Sequence, residues 1–424
     1  MNCEGYLINN FIPWEKLLED LQYMPNEIKQ HVHLILEILY ASHKRERPHD
    51  EIFIENSLIK IETCIDRTWE TLNSGYWKDV SIEYRYSYSL CSIVKVILLE
   101  ISSKLKSNIS KLEESALNLG IIQQIDKGIL LGAPLPNSPQ LLTDLASKIN
   151  HLCDSTEFPG KDTMPLDCKK IFADEKSIND ALLPGFLPIH RYNEPSMEFF
   201  YKNIFLLKVP ALIEGSIKHW KALQLWQNME YLTKIAGNRT VPVEIGSRYT
   251  EDDWSQRLLT LSEFLKTYVL NKNDETGYLA QHQLFEQIPE LKNDFTIPDY
   301  CSFSDNEDVD EEPDINAWFG PANTISPLHF DPKNNLLCQV FGLKRVILYP
   351  PEDTEYLYPY DTRLLDNTAQ VDPGNPDYEK WPAFKKAKGI ICLLNPGEIL
   401  FIPPKWWHHV TSLTPSFSIS FWWT

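Results

Sequence analysis

The second half of the chain ends in SFSISFWW (residues 416–423), a run rich in residues that favour β-strands. Similar short runs come before it, with proline and glycine residues between them: CQVF (338–341), RVILYP (345–350) and EILFIP (398–403). No long helical patterns alternate with these runs. Many short strands of this kind predict an antiparallel sandwich or barrel from about residue 185 onward.

The first half of the chain has a helical pattern. SLIKIETCIDRTWETL (57–72) and LCSIVKVILLEISSKL (90–105) carry apolar residues at spacings of three and four, which is typical of amphipathic helices. We therefore predict an α+β protein. Its parts would be an all-α domain at residues 1–153, a linker at 154–184 and a β-rich domain at 185–424.

The composition limits the classes of partner. The chain has 424 residues, 43% of them hydrophobic, and a formal net charge of −19 with a pI of about 5.0. An acidic protein has no general electrostatic hold on phosphate backbones, so direct nucleic-acid binding is not expected. The charge favours a basic partner, such as an arginine- or lysine-rich protein segment. A soluble protein kept monodisperse by its charge explains the number equally well.

The cysteines and the amino terminus indicate a reducing compartment. The eight cysteines include no CxxC pair, which argues against a zinc ribbon, and nothing suggests a disulfide framework. The first twenty residues lack the basic and apolar regions of a signal peptide. No run of about 18 apolar residues predicts a membrane-spanning helix. We expect no membrane association and a location in the nucleus or cytosol.

An acidic segment interrupts the β-rich half. SDNEDVDEEPD (304–314) contains seven acidic residues in eleven. Such a run predicts a solvated, mobile loop more readily than a specific binding site.

PLHFD (327–331) supplies the first candidate metal ligands. In a strand, residues i and i+2 point to the same side, so His329 and Asp331 would share one face. A second histidine follows the run PGEILFIP in PPKWWHHV (403–410). Two histidines and one carboxylate can hold Fe(II) on one face and leave three positions open, whereas a three-ligand zinc site is the main competitor.

The sequence pattern leaves one ligand ambiguous. His408 and His409 are adjacent and should face opposite ways in a strand, so only one can reach the metal. Alternation alone does not say which.

A cation is needed if the cosubstrate is 2-oxoglutarate, because its C5 carboxylate remains free when the other end chelates iron. Lys344 begins the strand after the FGL turn, and a hairpin would bring it beside the His329 strand. An ammonium group suits a single carboxylate. Arg345 is the rival cation, and spacing does not decide between the two.

Three long runs resemble the Jumonji-C hydroxylases: GYLAQHQLFEQIPEL (277–291), INAWFGPANTISPLHFDPKNNLLCQVFG (315–342) and NPGEILFIPPKWWHHVTSL (395–413). The resemblance covers nearly all of 185–424, while the helical half has far weaker motifs. It implies a double-stranded β-helix, the cupin-like jelly roll, with Fe(II) in its mouth. It also implies that His408 is the ligand and that Lys344 meets the C5 carboxylate. Four further residues would surround 2-oxoglutarate: Tyr278, Ser326, Asn335 and Trp422.

The resemblance implies that the substrate is a protein or peptide arginine, hydroxylated at C3 with O2 as cosubstrate. Glu244 and Trp318 match positions that line the substrate pocket. A guanidinium favours a carboxylate fork and an aromatic face. Histone tails or other basic proteins would present such an arginine. The acidic segment 304–314 is longer than the family pattern, which leaves substrate selection at that edge open.

Three other functions remain open. Lysine demethylation of histone tails would share every cofactor residue and differ only in the pocket. A peptidase that cleaves histone tails near methylated arginine is also attributed to the family, but the chain contains no HExxH motif. A non-catalytic scaffold is the third, and the complete set of His329, Asp331, His408 and Lys344 argues against it.

Overall fold

The computed structural model describes residues 8–45, 49–75, 79–106, 110–151, 181–246, 248–251, 253–271, 274–305, 312–363 and 365–424. Most of the predicted linker and the middle of the acidic segment lie outside these residues. The chain divides into two compact units. One contains Met1–Thr156 with Ala236–Thr240 and Glu286–Ile288, and the other contains the remaining residues.

The amino-terminal unit is helical, as the apolar periodicity predicted. Its α-helices are α1 (Trp14–Asp20), α2 (Asn26–Lys44), α3 (Glu51–Leu72), α4 (Ile82–Leu105), α5 (Lys111–Leu131) and α6 (Leu141–Asn150). Side chains cap several amino-terminal ends: Asp50 accepts from Ile52 N before α3, and Ser110 forms a reciprocal capping box with Glu113 at α5. No helix that the structure describes is long and apolar enough to cross a membrane.

Fourteen strands form in the described residues after 181. They are β1 (Leu187–Pro188), β2 (Arg191–Asn193), β3 (Ala211–Glu214), β4 (Thr240–Ile245), β5 (Ser255–Thr260), β6 (Gly277–His282), β7 (Asp314–Gly320), β8 (Ile325–His329), β9 (Asn334–Phe341), β10 (Lys344–Tyr349), β11 (Ile390–Leu394), β12 (Ile399–Ile402), β13 (Trp407–Ser412) and β14 (Ser416–Trp423). Short α-helices lie between them: Met197–Phe200, Ala222–Leu225, Met229–Ala236, Leu261–Phe264, Leu284–Gln287, Pro289–Lys292 and Thr354–Leu357.

The strands build two sheets. One has the order β1-β11-β10-β13-β8, and the other has the order β2-β3-β12-β9-β14-β7-β6-β4-β5. Apolar side chains from both sheets pack into one buried core, among them Leu337 and Leu400 of the larger sheet and Val346 and Val410 of the smaller one. Two sheets packed around a shared core are the jelly roll that the resemblance implied, and together with the helical unit they confirm the α+β class.

The chain passes from one sheet to the other at the FGL turn. β9 belongs to the larger sheet and β10 to the smaller one. Between them Gly342 has φ +77°, and a Cβ there would lie 2.2 Å from the Pro415 carbonyl oxygen. Only glycine fits this crossing without strain. The turn therefore delivers Lys344 to the sheet that contains β8 and β13.

Candidate active site

Three potential metal ligands meet where β8 and β13 pair. The strands are antiparallel, and His408 lies directly opposite His329. Their ring centroids are 4.2 Å apart, and His408 Nε2 is 3.5 Å from Asp331 Oδ2. Each of the three residues offers one ligand atom within 4.8 Å of the others. In the described part of the chain, this is the one such group of histidine, cysteine or acidic residues.

Asp331 reaches the group from the loop that follows β8. β8 ends at His329, so the prediction that both residues belong to one strand is wrong in this detail. The Asp331 carbonyl oxygen accepts a hydrogen bond of 2.8 Å from Lys405 N, in the turn just before β13. This bond ties the corner after β8 to the turn that delivers His408, and all three side chains still converge.

Backbone carbonyls orient both imidazoles. His329 Nδ1 lies 2.7 Å from the Pro327 oxygen, and His408 Nδ1 lies 3.0 Å from the Trp406 oxygen. Because a carbonyl only accepts, each Nδ1 carries the proton and each Nε2 keeps a lone pair for a metal. Burial, aided by the nearby His329, lowers the pKa of His408 to about 4 against the opposing effect of Asp331. The ring is therefore neutral at neutral pH.

This donor set fits iron. Asp331 Oδ2 is buried without a hydrogen-bond partner among the described residues, and a cation would satisfy it. Two neutral histidines and one carboxylate are the ligands of non-haem Fe(II) oxygenases, with three positions left for a chelating cosubstrate and oxygen. Catalytic zinc sites also use three protein ligands, but they keep only one position open.

His409 lies outside the group. Its Nε2 is 3.7 Å from Asp372 Oδ1, and burial lowers the pKa of His409 to about 4, although Asp372 opposes the shift. Since His409 follows His408 in β13, its side chain takes the other face of the strand. The geometry thus places His408, and not its neighbour, with His329 and Asp331.

A cavity of about 350 Å³, counting its open mouth, adjoins the three ligands. Apolar side chains form part of its wall, namely Leu337, Ile402 and Val410. The residues predicted to hold the cosubstrate all line this cavity, namely Tyr278, Ser326, Asn335, Lys344 and Trp422. Trp318 lines it too. The structure therefore brings together residues that are up to 144 positions apart in the sequence, from Tyr278 to Trp422.

Lys344 is the cation of this cavity. It is 1% exposed, and its Nζ is 3.4 Å from the Tyr278 hydroxyl. Burial lowers the pKa of Lys344 to about 7, because no carboxylate among the described residues compensates for the lost hydration. Trp422 Nε1 is also buried without a hydrogen-bond partner in the described residues. Both donors would be satisfied by an anion such as a dicarboxylate.

The prediction that the strand of Lys344 pairs with the strand of His329 was wrong. The β10 strand does not form a hairpin with β8, because β13 lies between them and pairs with both. Lys344 reaches the cavity from one strand further away. Arg345, the rival cation, does not line the cavity; its Nη1 donates to the Ala181 carbonyl at 3.5 Å.

The two predicted substrate residues lie on β4 and β7, which flank β6 in the larger sheet. Glu244 of β4 pairs in register with Tyr278 of β6, and the Tyr278 ring is 6.2 Å from the Trp318 ring of β7. Trp318 lines the cavity, whereas Glu244 lies beside it. Glu244 is half-buried, and burial raises the pKa of its carboxyl despite a 3.3 Å hydrogen bond from Trp254 Nε1.

Two aromatic residues near this site were not predicted. Trp254 contacts Glu244, as above. Tyr249 lies within electrostatic reach of both Asp331 and Glu244: burial raises the pKa of its phenol first, and these two charges raise it further. Both residues come from a loop without β periodicity, so no sequence pattern placed them at the site.

The family of the chain follows from this fold and from comparison with known proteins. Residues 196–424 match the cupin-like domain family. Over 405 residues the chain is 40% identical to lysine-specific demethylase 8 of Xenopus tropicalis, with 86% of the chain and 88% of that protein covered. It is also 40% identical to Jumonji C domain-containing protein 5 of Drosophila melanogaster, with 86% of each covered.

A more distant relative is the human bifunctional peptidase and (3S)-lysyl hydroxylase JMJD7, which is 27% identical over 54% of the chain and 81% of that protein. The chain belongs to the cupin-like Jumonji-C family of 2-oxoglutarate-dependent oxygenases. The resemblance inferred from the sequence is thereby confirmed at the level of the family.

Proposed function

We propose that the chain is an Fe(II)- and 2-oxoglutarate-dependent oxygenase that hydroxylates C3 of arginine residues in proteins. His329, Asp331 and His408 would hold the iron, and Lys344 would bind the C5 carboxylate of 2-oxoglutarate. With its cosubstrate, the iron supplies an oxidant that converts a C–H bond into C–OH while 2-oxoglutarate and O2 become succinate and carbon dioxide. The chain itself orients the C–H bond and excludes water.

Glu244 carries the choice of arginine. In the described part of the chain, this half-buried carboxylate has no lysine, arginine or histidine partner, and it accepts a side-chain hydrogen bond from Trp254 Nε1. A carboxylate in such a place is costly unless a cation compensates for it. A substrate guanidinium would form two charged hydrogen bonds there, and Trp254 and Trp318 would offer aromatic faces.

Lysine demethylation is the competing activity, and relatives bear that name. The metal and cosubstrate residues do not distinguish the two reactions. The planar guanidinium favours arginine, because an ammonium cannot make the same paired bonds to Glu244. The net charge of −19 supports a basic protein segment as the substrate for either reaction.

We predict that Glu244→Gln lowers turnover of an arginine peptide by about 10- to 100-fold, the equivalent of one charged hydrogen bond. Iron and 2-oxoglutarate binding should barely change, since Glu244 does not line their cavity. Replacing the target arginine by lysine should lower the turnover nearly as much.

Trp318→Ala should also lower the turnover, by the equivalent of about 0.5–2 kcal/mol if a cation–π contact is lost. The assay is intact-mass analysis of synthetic basic peptides with one central arginine or one dimethyl-lysine.

Glu230→Gln provides the matched control, because Glu230 is an exposed carboxylate on the helix Met229–Ala236. It should behave as the wild type does. Loss of methyl mass from the dimethyl-lysine peptides, with no oxygen added to the arginine peptides, would show that demethylation is the activity. Chain cleavage would show a peptidase.

A further inference from the structure

The segment from Asn367 to Asp372 covers the outer edge of the strand that carries His329. β8 is the last strand of the smaller sheet, so in the described residues one of its sides has no neighbouring strand. Backbone hydrogen bonds join the segment to that side, from Ala369 N to the Leu328 oxygen at 2.8 Å and from Phe330 N to the Asn367 oxygen at 3.0 Å. The corner that leads to Asp331 is therefore held from both sides.

The same segment binds the loop that runs from Arg248 to Trp254. Arg248 Nη2 donates to Asp372 Oδ2 at 2.7 Å, and the hydroxyls of Tyr249 and Thr368 are 3.3 Å apart. The Arg248 and Asp372 side chains are 28% and 26% exposed, so this ion pair is largely shielded from water. Gly374 N fixes the other Asp372 oxygen at 2.8 Å.

Hydrogen bonds continue from Arg248 to Glu244. Glu251 N donates to the Arg248 oxygen at 3.1 Å, and Trp254 N donates to the Glu251 oxygen at 3.2 Å. Trp254 Nε1 then reaches Glu244. The loop backbone also packs closely on Gly246, where φ is +121° and a Cβ would lie 3.2 Å from Trp254 Cα. The position of Arg248 is thus linked through consecutive turns to the carboxylate beside the cavity.

We propose that Arg248 and Asp372 form a clasp that positions this loop for substrate binding. The clasp fastens Tyr249 and Trp254 to the segment that covers the metal-bearing corner. Both clasp residues are positioning residues, since neither lines the cavity. The proposal rests on the proposed function, because it takes the side of Glu244 as the substrate side.

The clasp should matter for the peptide and not for the cofactors. His329, His408 and Lys344 are fixed by β8, β13 and β10, and Lys405 N holds the corner at Asp331; none of these contacts involves the loop. Without the ion pair, the contact between the Tyr249 and Thr368 hydroxyls is left to hold the loop to the segment, and ordering the loop again would use part of the binding energy of the peptide. A merely structural ion pair would instead change the melting temperature and leave peptide affinity alone.

A double-mutant cycle tests the clasp. The dissociation constant of an arginine peptide is measured without oxygen on protein loaded with Fe(II) and 2-oxoglutarate, for Arg248→Gln, Asp372→Asn and the double variant. Each single change should raise the dissociation constant by about 5- to 20-fold. The double variant should bind the peptide no more weakly than the single variant with the larger loss. Arg248→Lys, which keeps the charge, should recover most of the affinity. Glu198→Gln, which removes the exposed ion pair with Lys202, is the control and should have no effect.

Unchanged peptide affinity in the single variants, or additive effects in the double variant, would overturn the clasp. So would an equal loss of Fe(II) and 2-oxoglutarate affinity, since that would mean general damage to the site. The Glu244→Gln variant separates the two proposals. If it weakens peptide binding while the clasp variants do not, only the clasp fails; if it has no effect, the arginine proposal fails.

Discussion

Alanine at His329, Asp331 or His408 is expected to abolish both iron binding and 2-oxoglutarate turnover. The three side chains provide all the ligand atoms of the group, which lie within 4.8 Å of one another. Removing one leaves two ligands, and a facial site with two protein ligands holds Fe(II) too weakly to remain loaded. Metal content per chain after dialysis and succinate formation measured by NMR would check the two effects separately.

His409→Ala is the matched control, because it removes the adjacent imidazole from the opposite face of β13. His409 is close to Asp372 and outside the ligand group. The His409→Ala variant should keep its iron and most of its 2-oxoglutarate turnover. Full activity in His408→Ala together with loss in His409→Ala would show that the strand presents the other histidine to the metal.

Local patterns in the sequence predicted much of the fold. SFSISFWW (416–423) coincides with β14, and the other three β-rich runs overlap β9, β10 and β12. The helical periodicity at 57–72 and 90–105 likewise falls in α3 and α4. These features depend on the period of apolar residues, which is written in neighbouring positions and needs no knowledge of distant contacts.

Pairing between strands could not be obtained in the same way. Lys344 was expected beside β8, but β13, more than sixty positions later in the chain, lies between β10 and β8. A crossing between sheets and a hairpin have similar turn residues, so the FGL turn fits both. The choice between His408 and His409 depended on the resemblance for the same reason: alternation fixes that they oppose each other, and only the pairing of β13 with β8 fixes which one faces Asp331.

Residues that act through loops were missed altogether. Arg248 and Asp372 are 124 positions apart, and no spacing or motif connects them. Tyr249 and Trp254 belong to RYTEDDW (248–254), where neither helical nor strand periodicity applies. Loop positions of this kind are set by side-chain contacts that exist only in the folded chain.

The buried Lys344 lowers the stability of the protein without cosubstrate and would bind the cosubstrate carboxylate. The residue is 1% exposed, and burial lowers the pKa of its ammonium from 10.5 to about 7. At 1.36 kcal/mol for each unit of pKa, that change corresponds to roughly 5 kcal/mol of unfavourable free energy of folding in the protein without cosubstrate. A bound dicarboxylate would compensate for this cost, since it supplies an anion that the part of the chain described by the structure does not.

Lys344→Met should therefore have two opposite effects. The dissociation constant for 2-oxoglutarate should rise by at least about tenfold, because a charged hydrogen bond worth roughly 1.5–3 kcal/mol is lost. The cosubstrate-free protein should be more stable by about 2–5 kcal/mol at pH 7, since methionine fills a similar volume without a charge. Calorimetric titration and chemical denaturation would measure the two effects.

The pH dependence of that stability gain is the sharper test. The folded pKa of Lys344 lies below the unfolded value of 10.5, so the unfolded wild type binds more protons between about pH 7 and 10.5. Wild-type stability should rise with pH across this window relative to Lys344→Met, and the difference between them should shrink. Arg345→Met, at the adjacent position outside the cavity, should change neither cosubstrate affinity nor this profile. A difference that stays constant with pH would mean that Lys344 keeps its proton when buried, and a loss of 2-oxoglutarate affinity in Arg345→Met instead would assign the carboxylate to the other cation.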